Sequence, residues 1–230
     1  MTDTIRLDGV TVAYGRTVAC QAITLSVAPG SVYALLGHEG SGKTSLVRCI
    51  LGTLRPAAGR ALAFGEDSRK KRRRLASRVG TSPSPSGELP ELLVLDEPSP
   101  GYVVSKDAGR TTFIATRDPA LVEGIASHVG ILRKGRLALE LPIAEIGSGF
   151  RRIHYANRMT ETRTAFGTEL DAFDAVRVRV RGWGIEAVVS NFEPDAFERF
   201  RAIDGVEDAR AEVMSLSEIF LAVAGEAQPA

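Results

Sequence analysis

The sequence predicts an α/β fold for residues 1–145, followed by a small α+β module over residues 146–230. The first part is predicted by a strand, glycine-rich loop and helix over residues 31–54, and by an apolar strand ending in an acidic pair over residues 92–97. The module is predicted by residues 174–181, where valine alternates with arginine as in a strand with one buried and one solvated face.

The glycine-rich loop has the pattern G-x-x-x-x-G-K-[ST], whose backbone N–H groups converge on phosphate oxygens. The apolar run 31–36 precedes it as a buried strand, and apolar residues at helical spacing over 44–54 follow it. The sequence therefore predicts a phosphate-binding loop between a strand and a helix. Its predicted ligand-contacting residues are Gly37, His38, Glu39, Gly40, Ser41, Gly42, Lys43, Thr44 and Ser45.

Four side chains give this site its predicted chemistry. Lys43 is expected to reach the β- and γ-phosphates of a nucleoside triphosphate, and the Thr44 hydroxyl to ligate Mg²⁺. Asp96, at the end of the apolar strand, is the second predicted ligand of Mg²⁺. Glu97 follows it and is predicted to polarise the attacking water as a general base.

In combination, these motifs resemble those of the ATP-binding subunits of ABC transporters. The matching segments are residues 29–65, 90–98 and 111–137. The resemblance implies a RecA-like core with N-terminal antiparallel strands, ATP and Mg²⁺ as ligands, and stacking of adenine on Tyr14. It also implies two partners: an integral-membrane transporter subunit, and a second ATP-binding subunit in a homodimer or heterodimer.

The stretch between the two nucleotide motifs departs from that family. Only 52 residues lie between Lys43 and Asp96. In the family this stretch is longer and carries a glutamine loop, a helical subdomain and an LSGGQ signature. Here Ser84 stands where the glutamine is expected, and no LSGGQ-like sequence occurs in the chain. The sequence therefore predicts a core without the helical subdomain.

Three further departures follow the acidic pair. Val103 replaces the aspartate of the family's D-loop, the next helix is shortened to about 105–110, and Arg117 occupies the position of the switch histidine. Arginine cannot accept a proton as histidine does, but its fixed charge suits phosphate. The sequence thus predicts a degenerate site with weak or absent ATP hydrolysis in the isolated chain.

Three functions remain open on the sequence alone. The first is an ATP-binding subunit of an ABC-2-type export system with degenerate hydrolytic groups. The second is a non-hydrolysing regulatory or scaffolding subunit that uses nucleotide as an assembly signal, and the third is a decayed copy without activity. The group Lys43, Thr44, Asp96 and Glu97 favours the first two, since a drifting remnant has no reason to retain it.

Composition agrees with an ordinary globular domain. Hydrophobic residues make up 44% and charged residues 25% of the chain, and the formal net charge is +1, which gives no general attraction to polyanions. No apolar run reaches the ~18 residues of a membrane helix, and the N-terminus lacks a signal-like segment. We expect a cytoplasmic protein that is peripheral on the inner face of the cell membrane.

One basic run, Arg69–Arg74, interrupts this balance with six consecutive cations. Aromatic residues do not interleave with it, so no nucleic-acid partner is expected. The simplest interpretation is a solvated surface, and the functional alternative is contact with anionic lipid headgroups. Cys20 and Cys49 show no metal-ligand spacing and are predicted to be small buried hydrophobes.

The predicted module beyond residue 146 contains no catalytic motif. After the alternating strand come its hairpin partner at 184–190, a helix at 194–203 with Phe197 and Phe200 on its apolar face, and a strand at 206–213. The segment 215–224 predicts a helix capped by a serine with a glutamate in the first turn. This arrangement resembles the C-terminal extension of ATP-binding subunits that serve ABC-2-type exporters.

Overall fold

The computed structural model describes residues 2–81, 90–99, 109–157, 170–182 and 184–225. The chain divides into two compact units, which meet in sequence between Pro142 and Ile143.

The first unit combines an antiparallel sheet, a mostly parallel sheet and few helices. Its described elements, in chain order, are β1 (Ile5–Tyr14), β2 (Thr17–Val27), β3 (Val32–Leu36), α1 (Lys43–Ile50), β4 (Ala58–Ala63), β5 (Glu66–Asp67), α2 (Arg72–Leu75), β6 (Val79–Gly80), β7 (Leu92–Asp96), β8 (Thr111–Thr116), β9 (His128–Arg133) and β10 (Arg136–Pro142). A short 3-10 turn, Pro119–Leu121, lies between β8 and β9.

The six-stranded sheet has the order β10-β9-β3-β8-β7-β6. All neighbours from β9 to β6 run parallel, and β10 is antiparallel to β9. Every residue of β3 and β8 is buried, as is β7 up to Leu95, which is typical of a parallel sheet that is covered on both faces. The predicted α/β core is thereby confirmed.

The four-stranded antiparallel sheet, in the order β2-β1-β4-β5, forms the predicted N-terminal layer. Its inward residues join helix α1 and the parallel sheet in one apolar core. Tyr33 and Phe113 stack inside that core, with ring centroids 5.5 Å apart. Burial raises the pKa of Tyr33 well above its ordinary value, and its hydroxyl donates to Glu140 over 3.0 Å.

The second unit is a four-stranded antiparallel sheet with three helices in its described part. Its elements are α3 (Ile143–Gly149), β11 (Arg151–Asn157), a 3-10 turn (Asp171–Phe173), β12 (Ala175–Arg181), β13 (Gly184–Val189), α4 (Pro194–Arg201), β14 (Val206–Val213) and α5 (Leu216–Ala224). The strand order is β12-β13-β11-β14. The predicted hairpin, helices and last strand are confirmed.

Aromatic side chains fill the core of this second unit. Phe197 and Phe200 of α4 are buried, as predicted, and Phe200 meets Tyr155 edge-on with ring centroids 5.0 Å apart. Helix α5 begins with the predicted capping box, in which the Ser215 side chain accepts from the Glu218 backbone N–H and the Glu218 carboxylate accepts from the Ser215 N–H.

Strand β12 corrects one prediction. The alternation predicts one buried and one solvated face, and apolar valines are the usual buried side chains, but Val176, Val178 and Val180 are exposed, whereas Arg177 and Arg179 are half-buried. Among the described strands β12 lies at the edge of the sheet and pairs with β13 alone, so its side chains have fewer neighbours than those of the central strands. A period of two identifies the two faces of a strand but not which of them is covered.

In the part of the chain that the structure describes, no helix is both long and apolar enough to cross a membrane.

Candidate functional site

The glycine-rich loop lies where the parallel sheet and helix α1 meet. Strand β3, between β8 and β9, leads into it, and the Gly37 N–H donates to the Thr116 carbonyl of β8 over 3.3 Å. Helix α1 begins at Lys43, directly after the loop. The loop therefore stands at the carboxyl ends of parallel strands and at a helix N-terminus, the arrangement that favours anions.

Two glycines of the loop have no room for a side chain. Gly42 has φ 107°, and a Cβ there would stand 2.5 Å from the Ala19 carbonyl oxygen and 2.5 Å from Cys20 Sγ. A Cβ on Gly37 would stand 2.5 Å from Ser41 Oγ. The loop conformation thus requires glycine at both positions, and it also depends on strand β2 behind it.

Lys43 is buried, with its side chain 5% exposed, yet its ammonium group has three acceptors. Nζ donates to the Gly37 carbonyl over 2.7 Å and to the His38 carbonyl over 3.2 Å. The third acceptor is the Glu97 carboxylate, 3.1 Å away. A cation fixed in this way directs its charge toward the groove above the loop, where an anion can approach it.

Glu97 reaches Lys43 from the end of β7. Its backbone is left-handed, with φ 48°, and its N–H donates to the Ala115 carbonyl over 2.8 Å. The Arg117 N–H donates to Glu97 Oε2 over 3.2 Å, and the Thr116 hydroxyl lies 3.5 Å from the same oxygen. The carboxylate is therefore held by two groups at the end of β8, in addition to the loop lysine.

These groups surround a cavity of about 750 Å³. It is lined by residues 39–45 of the loop and helix, 97–99 after β7, 116–118 after β8, and Ala19 and Leu121. Buried Ser41 Oγ has no hydrogen-bond partner among the described residues. The cavity brings together the predicted residues Glu39, Gly40, Ser41, Gly42, Lys43, Thr44, Ser45 and Glu97.

The other predicted residues lie around this cavity without lining it. Gly37 and His38 serve as carbonyl acceptors for Lys43. Asp96 is the exposed last residue of β7. Tyr14, at the end of β1, is 46% exposed, and its hydroxyl lies 3.3 Å from Ser45 Oγ.

Sequence reasoning missed several lining residues, namely Ala19, Thr116, Asp118 and Leu121. Thr116 ends β8, the strand between β3 and β7, so its proximity follows from sheet order, which no local motif encodes. Arg117, singled out by the family comparison, lines the cavity, and its guanidinium lies 4.0 Å from the loop residue Glu39. The predictions about Ser84, Val103 and the helix around 105–110 fall outside the described residues, apart from Gly109 and Arg110.

The two cysteines are buried, as predicted. Burial raises the pKa of Cys20 to about 12 and that of Cys49 to about 11. The Cys20 thiol also donates to the Gly42 carbonyl of the loop over 3.3 Å. Since only the thiolate is a strong nucleophile, both groups should be inert in the native protein.

We therefore expect Ellman's reagent at pH 8 to label neither Cys20 nor Cys49 in native protein and both in denaturant. Both thiols have a raised folded pKa, so they favour folding below their unfolded pKa of 9.0, and this contribution is lost as pH rises toward 11 to 12. A Cys20→Ser variant shows which part of the labelling signal comes from Cys20 and which from Cys49. Rapid labelling of the native chain at either cysteine would contradict the burial seen here.

Comparison with known proteins places the site in context. A family model described as "ABC transporter" matches residues 20–169. The bacitracin transport ATP-binding protein BcrA of Bacillus licheniformis is 22% identical, over 62% of this chain and 71% of that protein. The zinc import ATP-binding protein ZnuC of Pseudomonas putida is 50% identical, over 24% of this chain and 22% of that protein. The chain thus spans less than a quarter of the length of this import protein.

Solved structures show the same fold at low identity. A nucleotide-free ATP-binding cassette from an ABC transporter has a TM-score of 0.52 and 17% identity, covering 61% of this chain and 91% of that one. The cbiO1 protein of Clostridium perfringens has a TM-score of 0.54 and 20% identity, covering 64% and 91%. Both support the α/β core that was derived from the sequence.

Proposed function

Because this chain belongs to the ABC transporter family, we propose that it is an ATP-binding subunit of an export system, with weak or absent hydrolysis when isolated. The observation that carries the proposal is the cavity in which buried Lys43 meets Glu97 at the glycine loop. One cation, a helix N-terminus and glycine-loop backbone converge there, which suits a triphosphate.

Lys43 and Glu97 have opposite parts in the proposed cycle. An incoming phosphate competes with the Glu97 carboxylate for the Lys43 ammonium, because both are anions at one cation. Once displaced, the carboxylate becomes free to accept a proton from water. Arg117 adds a fixed positive charge to the cavity but cannot take up a proton.

The residues also fit Mg²⁺, the usual companion of ATP. Mg²⁺ prefers oxygen ligands and often takes only one or two carboxylates beside phosphate and water. The Thr44 hydroxyl lines the cavity, and Asp96 precedes Glu97 at the end of β7. Thr44 and Asp96 would hold the ion, which neutralises phosphate charge when bound.

Two features support export and weak hydrolysis. The match to the bacitracin transport protein covers 62% of the chain, whereas the match to the zinc import protein covers 24%. The absent LSGGQ signature and the arginine at position 117 remove groups that the family uses on the γ-phosphate. Its proposed partners are an integral-membrane subunit and a second ATP-binding subunit, homodimeric or heterodimeric, and its proposed location is the cytoplasmic face of the membrane.

A non-hydrolysing regulatory or scaffolding subunit is the second candidate. The Lys43–Glu97 ion pair favours it in one case: if bound nucleotide leaves the pair intact, the carboxylate stays engaged with the loop lysine and does not activate water. Calorimetry with ATP and Mg²⁺, followed by phosphate release from the same sample, separates the two functions. Binding with release supports the ATPase, binding without release supports the scaffold, and no binding refutes both.

For Glu97→Gln we expect tighter ATP–Mg²⁺ binding, by about fivefold, because the charge that competes with phosphate is removed (~1 kcal/mol). Any phosphate release should fall to background, since an amide is not a general base. Glu91→Gln is the matched control, because Glu91 pairs with Arg78 outside the cavity. Unchanged phosphate release in Glu97→Gln would show that Glu97 is not the general base.

A further inference from the structure

A second hollow of about 510 Å³ lies in the first unit and shares no lining residue with the nucleotide site. Its cationic lining consists of Arg55, Arg60, Arg69 and Lys70, and we call it the basic hollow. One carboxylate, that of Asp67, also lines it. The hollow combines this polar rim with apolar lining groups, among them the side chains of Cys49 and Leu54.

Backbone contacts fix the shape of the basic hollow. Gly52, after helix α1, packs so closely on Ser68 that a Cβ would overlap the Ser68 carbonyl. Asp67 Oδ1 accepts from the backbone N–H groups of Arg69 and Lys70, over 3.1 and 2.8 Å. The segment that carries the two cations is therefore anchored to the end of α1 and to its own turn, which makes the hollow preformed.

Most cations of the hollow lack an acidic partner. Within the ranges that the structure describes, no carboxylate oxygen lies within 4.0 Å of the charged side-chain nitrogens of Arg55, Arg69 or Lys70, whereas the Arg60 guanidinium has Asp8 at 3.6 Å. Positive charges gathered in one concavity repel one another, and a bound anion removes that repulsion. Since the whole chain carries a net charge of only +1, this is a local concentration of charge.

The basic run extends this charge beyond the hollow. Helix α2 buries Leu75, while Arg72, Arg73 and Arg74 of the same helix are exposed. An anionic surface that reaches the hollow would therefore find further exposed arginines next along the chain, of which Arg74 already pairs with Glu66 at 3.4 Å. Such a ligand needs a phosphate for the rim and an apolar portion for the lining, and a phospholipid has both.

We propose that the basic hollow binds the phosphate of an anionic phospholipid headgroup and forms a peripheral membrane contact separate from the nucleotide site. The test is co-sedimentation of the full chain with phosphatidylcholine vesicles, with and without phosphatidylglycerol, at low salt and without nucleotide. Binding is expected only with phosphatidylglycerol. Binding to neither vesicle, or equally to both, overturns the proposal.

Three double variants locate the contact. In the hollow, Arg69→Gln with Lys70→Gln should weaken vesicle binding about thirtyfold, from ~1 kcal/mol per cation. Arg72→Gln with Arg73→Gln, on the run outside the hollow, should cost about fivefold or less, because fully exposed charges stay hydrated and contribute only about 0.5 kcal/mol each. Arg16→Gln with Lys134→Gln removes the same charge from two exposed turns and should change nothing. Unchanged unfolding midpoints show that each variant is folded.

Each contrary result has one meaning. If the Arg69/Lys70 variant binds vesicles like the control, the hollow is not the contact. If the Arg72/Arg73 variant loses as much vesicle affinity as the Arg69/Lys70 variant, the attraction is diffuse. Either result overturns the proposal. Inorganic phosphate is the soluble probe, used in a Lys43→Ala background so that the nucleotide site does not contribute. If inorganic phosphate binds in a manner that requires Arg69 and Lys70 but vesicles do not bind, the ligand of the hollow is a free phosphate and the proposal of a lipid headgroup is overturned.

Discussion

Lys43→Ala is expected to abolish ATP–Mg²⁺ binding, a loss of about a hundredfold or more in affinity (~3 kcal/mol). The variant removes the buried ammonium that the Gly37 and His38 carbonyls orient, and it leaves the Glu97 carboxylate in the cavity without its counter-charge. Triphosphate and carboxylate would then repel each other. Calorimetry at constant salt measures the loss.

Lys71→Ala is the matched control, because it removes an exposed lysine far along the chain from the loop. It should bind ATP as the parent does. Circular dichroism and the unfolding midpoint establish that Lys43→Ala is folded. An unchanged affinity in folded Lys43→Ala would show that the glycine loop is not the nucleotide site, whatever the fold.

Phe200→Ala should destabilise the second unit by about 3–5 kcal/mol, the usual cost of emptying a buried phenylalanine site. The Phe200 ring is 2% exposed and meets the rings of Tyr155 and Phe173 edge-on. Because the first unit has its own core, ATP binding should persist while residues 143–225 unfold at lower denaturant. Hydrogen exchange followed by peptide mass spectrometry resolves the two units.

The control in the same unit is Leu221→Ala, whose side chain is 46% exposed on α5, and it should change the free energy of unfolding by less than about 0.5 kcal/mol. A Phe200→Ala protein that loses ATP binding together with its second unit would contradict the independence of the two units. Equal effects from both variants would instead contradict the aromatic core.

The sequence was sufficient for features that depend on neighbours along the chain. The glycine loop, the buried strand β7 and the capping box at Ser215 each follow from a few adjacent residues, and all three are present. Positive φ at Gly42 and the steric exclusion of its Cβ are the physical cause of the loop pattern. These local rules hold because the backbone itself enforces them.

Features that depend on the order of strands in a sheet could not be predicted from neighbouring residues. Thr116 and Glu97 meet because β7 and β8 are neighbours in the sheet. The distance between the two residues along the chain does not predict this pairing. The exposed valines of β12 show the same limit, since alternation does not state which face of a strand the rest of the unit covers. Likewise, the pairing of Glu97 with Lys43 joins two motifs that were each assigned separate roles.

That pairing also lowers the net charge at the loop. The charge of Glu97 offsets that of Lys43, so the pair leaves less positive charge at the loop for phosphate or sulfate to meet, although Arg117 adds its own to the cavity. Binding of a phosphate is then an exchange, in which it replaces the Glu97 carboxylate at Lys43. We expect a triphosphate to displace the carboxylate, and an anion of low charge to do so poorly. On the proposed function, the ion pair would select ligands by their charge before any contact with a base or sugar is made.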